Sequence, residues 1–156
     1  MVWSHTGRWK IQPQPAGRTK ADRSPGTYSE SVNVHRSVKI KGAKAGDEVK
    51  YRTFGSGSES TVDGSTPGQA AFTINAADVT LDGFSITNPG EGLGVLVKTA
   101  GNNAKIKNNI VNGIGGVGFL NHTVGIYLEY GPDNVQVKGN SINNLKSDNP
   151  VSPGTA

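Results

Sequence analysis

The sequence predicts an all-β fold, a parallel β-helix of about four coils, from three observations. Apolar residues come in short alternating triplets, they are punctuated by Gly and Asn, and one twelve-residue pattern recurs three times. Alternation with a period of two, broken every few residues by turn formers, marks short strands rather than helices. Ala77 to Asn88, Asn102 to Gly113 and Asp133 to Asn144 line up residue by residue. Each is preceded by a further triplet: Phe72-Thr73-Ile74, Val95-Leu96-Val97 and Ile126-Tyr127-Leu128. Leu81 to Ile106 is 25 residues and Ile106 to Val137 is 31. A unit of that size cannot bury its own apolar face, so it stacks on its neighbours as a solenoid.

Residues 1–25 hold Pro13, Pro15, Pro25 and scattered cations, with no sustained apolar period, and are expected to form an irregular basic arm. The organised domain is expected over 26–145. Its earliest coil reads from Tyr28 through Val32, Val34, Val38 and Ile40, and after a long excursion ends at Val62-Asp63-Gly64. In the next coil Phe72, Ile74, Val79, Leu81 and Ile86 point inward, while Thr73 and Thr80 point out. Val95, Val97, Ala104, Ile106 and Val111 extend the same rows, as do Ile126, Leu128, Val135, Val137 and Ile142. Asn109 aligns with Asn140, and Asn112 with Asn143, at the bends. Stacked Asn amides can bond along the solenoid axis and tolerate left-handed backbone there. Residues 146–156, with Pro150, Pro153 and Gly154, are expected to form an irregular tail.

Of the 156 residues 33% are hydrophobic, 18% are charged and none is Cys. Disulfides, thiolate metal sites and Cys nucleophiles are excluded. No apolar run is long enough to cross a membrane as a helix, so no membrane insertion is expected. Met1 to Ile11 contains Trp3, Arg8, Trp9 and Lys10 where a signal peptide needs an apolar core. The formal net charge is +4, and Arg8, Lys10, Arg18, Lys20 and Arg23 against Asp22 account for all of it. The rest of the chain balances at 11 basic and 11 acidic residues. A basic stripe on the folded body, and with it specific nucleic-acid binding, is therefore not expected.

Pro25-Gly26-Thr27-Tyr28-Ser29-Glu30-Ser31-Val32, Val38-Lys39-Ile40-Lys41-Gly42, Val62-Asp63-Gly64 and the run from Val79 to Asn88 resemble right-handed parallel β-helix repeats of the pectin-lyase-like superfamily. The resemblance covers about Pro25 to Asn144 and is closest to secreted or cell-surface β-helix proteins. It implies a single-stranded right-handed β-helix, in an architecture that hosts lyases, hydrolases, adhesins and inert stalks alike. The helix and strand that usually cap such solenoids are not recognisable before Gly26, and the coils are few, so the chain reads as a truncated member. Open ends of a solenoid expose strand edges and apolar rows that a second chain can cover.

The candidate catalytic residues are Asp63, Asp78 and Asp82, since glycosidic chemistry needs paired carboxyl groups. Asp63 and Asp82 each precede a corner Gly, and Asp82 aligns with Lys107 and Lys138, which favours a structural charge ladder. His5, His35 and His122 share no metal-ligand spacing, so neither metal nor cofactor is expected. The outward series Thr73, Leu96, Tyr127, followed by Tyr130, predicts an apolar outer strip that the insertion Val117-Gly118-Phe119-Leu120 folds over or extends, so that it is covered within the chain, forms a subunit interface or stacks on a sugar ring. The expected function is a non-catalytic structural or surface-binding module that self-associates. The alternatives are a carbohydrate-active enzyme or its remnant, and a glycan-binding module with a polysaccharide partner.

Overall fold

The computed structural model describes residues 19–146 apart from 65, 67, 91 and 117–122. Its first coil is β1 (Thr19–Asp22), β2 (Gly26–Ser29) and β3 (Val32–Val34). The second is β4 (Val38–Lys41), β5 (Ser60–Asp63) and β6 (Phe72–Ile74), and the third β7 (Thr80–Asp82), β8 (Ser85–Asn88) and β9 (Leu93–Val97). β10 (Lys105–Lys107), β11 (Ile110–Ile114) and β12 (Val124–Leu128) form the fourth, and β13 (Gln136–Lys138) and β14 (Ser141–Leu145) begin a fifth. All neighbours pair in parallel, in three sheets ordered β1-β4-β7-β10-β13, β2-β5-β8-β11-β14 and β3-β6-β9-β12. This is the expected parallel β-helix.

The register is the one the repeat predicts. Ala21, Ile40, Leu81, Ile106 and Val137 stack in the first sheet. Tyr28, Val62, Ile86, Val111 and Ile142 stack in the second. Val32, Phe72, Val95 and Ile126, with Val34, Ile74, Val97 and Leu128, fill the third. Strands only three to five residues long are stable here because each row forms part of one continuous core. Phe72 meets Phe84 edge-on, with centroids 5.4 Å apart.

One stretch differs from expectation. Thr19–Asp22, inside the segment read as an irregular arm, is a strand that pairs in register with β4. Its single inward residue, Ala21, gives no visible period, and its formation depends on hydrogen bonding to an edge already present.

The bends between the first and second sheets are held by asparagine. Asn109 donates from Nδ2 to Leu81 O at 3.2 Å and accepts from Phe84 N at 3.0 Å. Asn140 repeats the pattern one coil on, donating to Ile106 O at 2.8 Å and accepting from Asn109 N at 2.9 Å. The pair Asn112 and Asn143 aligns as expected, but it is Asn144 that donates to Asn112 Oδ1, at 2.7 Å. Asn143 turns to Ser141 instead.

Replacing Ile106 with Asp places an unpaired charge inside a continuous aliphatic row, at a cost of several kcal/mol. The expected outcome is loss of cooperative thermal unfolding by circular dichroism. Asn109→Ala removes the side-chain partner of Leu81 O and Phe84 N in the preceding coil and is expected to lose about 1–3 kcal/mol in urea unfolding.

Candidate functional site

The three candidate carboxylates occupy three different places. Asp63 ends β5 in the second sheet, in register with Ser29 and Thr87. Asp78 lies at the bend before β7, with left-handed backbone, and accepts from Asn103 Nδ2 at 3.1 Å. Asp82 ends β7 in the first sheet and is buried. It accepts from Gly46 N at 3.2 Å and Asn108 Nδ2 at 3.0 Å, and pairs with Lys107 Nζ at 3.0 Å. Asp78 and Asp82 thus lie at opposite ends of β7, each held by its own asparagine, Asn103 and Asn108. Among the described residues no group of three His, Asp or Glu side chains converges as a metal site would need.

Asp82 instead holds the excursion between β4 and β5. At Gly83, with φ of 80°, an added Cβ would lie 2.1 Å from Ala45 N, so only glycine lets the excursion lie this close. The excursion carries a feature that strand periodicity did not reveal. Arg52 and Glu59 form an ion pair whose side chains are 2% and 0% exposed. Arg52 donates to both Glu59 oxygens, at 3.0 and 2.6 Å, and also to Phe84 O at 3.2 Å and to Asn108 O. Glu59 further accepts from Ser85 Oγ at 3.1 Å. One guanidinium thus bridges the carbonyls of two successive coils. On the outer side of the same excursion, Lys50 is raised above the usual lysine range by hydrogen bonds to Glu48 and then Tyr51.

The expected apolar strip is largely internal. Thr73, Leu96 and Tyr127 do align across the third sheet. Leu96, however, is only 7% exposed, packed with Ala70 and Leu93 in a satellite cluster against which Val124 and partly buried Tyr127 lie. Tyr130 is 99% exposed. Phe119, Leu120 and His122 fall outside the described residues.

Apolar surface emerges at the last coil. β12, β13 and β14 are each the final strand of their sheet, so each has one edge without a strand partner among the described residues. The inward rows end there, leaving Leu128 40%, Val137 47%, Ile142 44% and Leu145 43% exposed. At the first coil the corresponding rows are closed: Val32 and Val34 are 6% and 1% exposed, and Ala21 and Tyr28 are packed against the core.

Charge is also distributed in a way the segment count concealed. The outer face of the first sheet carries one row of Lys20, Lys39, Thr80, Lys105 and Gln136, and a second of Asp22, Lys41, Asp82, Lys107 and Lys138. Six lysines face two aspartates, contrary to the expectation that the body carries no basic stripe. The compensating acids lie elsewhere, among them Asp47, Glu48 and Glu59 in the excursion. The signal was the strand motif itself, Lys39-Ile40-Lys41 repeated as Lys105-Ile106-Lys107 and followed by Gln136-Val137-Lys138.

No family model matches the chain, and no curated protein or solved structure matches it significantly.

Arg52→Met leaves the buried Glu59 carboxylate without its cation and is expected to cost about 3–5 kcal/mol in urea unfolding. Adding Glu59→Leu is expected to restore much of that loss, since both buried charges are then gone.

Proposed function

We propose that this chain is a non-catalytic β-helix module that self-associates through its open last coil, end to end with a second copy. The observation that carries the reading is the asymmetry of the ends, with apolar rows closed at the first coil and exposed at the last. A head-to-tail contact would need a matching open surface at the first coil. Contact between two last coils needs only the same patch twice, and a two-fold axis closes it as a dimer. Pairing of the free edges supplies backbone hydrogen bonds, while Leu128, Val137, Ile142 and Leu145 supply the apolar core of the contact. Dispersal of Asp63, Asp78 and Asp82 supports the non-catalytic part. The finer family reading, a pectin-lyase-like β-helix acting outside the cell or at its surface, is supported by the three-sheet coil and the asparagine bends.

Light scattering on a size-exclusion column, at two concentrations, tests the association. The expected mass is twice that of the chain at both. Val137→Lys combined with Ile142→Lys is expected to give the single-chain mass with an unchanged melting curve, since both positions are already about half exposed. Tyr130→Ser, on the outer side, is expected to leave the mass at two chains. A single-chain mass for the unaltered protein at every concentration overturns the reading, as does growth into filaments, which requires head-to-tail contact.

A further inference from the structure

Asn112 and Gly113 sit where the ladder of the second sheet is interrupted. In β11 Val111 pairs with Ile86 and Ile114 with Asn88, so two residues, Asn112 and Gly113, oppose the single Thr87 of β8. This is a β-bulge, which leaves its extra residue outside the regular ladder. Gly113 has no register partner in β14 either, although Asn112 and Ile114 on both sides of it do. Its φ is 67°, and an added Cβ would lie 3.1 Å from Thr87 Oγ1, so the bulge favours glycine on both counts. Asn112 is the only asparagine of the chain that is followed by glycine.

We propose that Asn112 is a self-modification site, at which the backbone nitrogen of Gly113 attacks the Asn112 side-chain amide and converts it to aspartate and isoaspartate. In the first step the bond from Gly113 N to Asn112 Cγ forms and the bond from Cγ to Nδ2 breaks. Nδ2 leaves as ammonia, carrying the proton lost by the Gly113 amide, and a cyclic imide remains. Water then opens the ring. Attack at Cγ gives aspartate in an unchanged backbone, and attack at the Asn112 carbonyl carbon gives isoaspartate, whose backbone runs through Cβ and Cγ. The net reaction turns an amide and a water into a carboxylic acid and ammonia, and nothing is oxidised or reduced.

Three features favour this reaction. Nucleophile and electrophile are on adjacent residues of one chain, and Gly113 brings no side chain to hinder the approach of its nitrogen. The electrophile is polarised, because Asn144 Nδ2 donates to Asn112 Oδ1 at 2.7 Å, which draws electron density from Cγ and stabilises the oxyanion formed on attack. The leaving group is free, since Asn112 Nδ2 has no hydrogen-bond partner among the described residues. Other asparagines differ on these points. Asn109 and Asn140 are bonded through both ends of their amides. Asn88 donates to Gln69 O and Leu93 O and precedes Pro89, whose nitrogen carries no proton. The two products differ in consequence. Aspartate still accepts from Asn144, whereas isoaspartate lengthens the backbone of β11 by one carbon just before Ile114, the residue that pairs with Leu145 of β14.

The test is incubation of the intact protein at mildly alkaline pH, followed by peptide mapping with mass spectrometry that separates asparagine, aspartate and isoaspartate. Asn112 is expected to convert, faster as pH rises because the attacking amide must lose its proton, while Asn109 and Asn140 persist. Asn144→Asp keeps a residue that tolerates the left-handed backbone there, with φ of 50°, but can no longer donate, and is expected to slow conversion about fivefold. Asn112→Ser is expected to abolish conversion with an unchanged melting curve. In the isoaspartate form, separated by chromatography, amide hydrogen exchange is expected to speed in β14 and not in β7. Retention of Asn112 in the folded protein, under conditions that convert a synthetic peptide with the same Asn-Gly pair, overturns the proposal. So does conversion of Asn109 or Asn140 as fast as that of Asn112. An unchanged or faster rate in Asn144→Asp overturns the part assigned to Asn144.

Discussion

Everything in this molecule depends on coil-to-coil register. Strands of three to five residues have too little apolar area to hold themselves, and they persist because Ile106 closes on Leu81 and Val137 closes on Ile106. Parallel pairing fixes not only the core but also the outer surface. If inward residues align from coil to coil, their outward neighbours align as well, and any side chain repeated at one position becomes a row about 4.8 Å apart. The aliphatic core and the lysine face of the first sheet follow from the same constraint, read from opposite sides of the strand.

Rows of like charge at that spacing repel, and the structure offsets the repulsion in two ways. Asp82 interrupts the second lysine row and pairs with Lys107, while the first row is diluted by Thr80 and Gln136. Arg52 ties adjacent coils together at the bend, where it reaches the carbonyls of Phe84 and Asn108. At Phe84 O it adds a second donor to Ile110 N, and Glu59 neutralises it where both side chains are almost fully buried. The long excursion is therefore part of the solenoid's wall, held at Asp82, at Gly83 and through Arg52.

Repetition explains which features were legible. Inward rows, the alignment of Asp82 with Lys107 and the Asn109–Asn140 ladder each appear two or more times in the sequence, so alignment alone exposed them. Arg52 and Glu59 occur once, in a stretch with no period, and their burial depends on two coils more than 25 residues downstream. β1 was missed for a similar reason, since Ala21 alone carries no pattern. Leu96 was placed correctly as outward-facing and coverage within the chain was one reading of it, but the residues that pack on it, Ala70 and Leu93, belong to no repeat and gave no signal. The lysine stripe was missed because charge was counted by segment, which averages the acids of the excursion against the cations of the strands.

The open last coil and the lysine face of the first sheet meet at β13. The open coil faces along the solenoid axis, whereas the lysine face runs parallel to it on one side. A two-fold contact at the last coils involves β13 and so reaches Gln136 on the lysine face, while Lys39, Thr80 and Lys105 lie on coils above it. β13 therefore belongs to both surfaces, since Val137 ends an inward row at the open coil while Gln136 and Lys138 continue the outer rows of the first sheet.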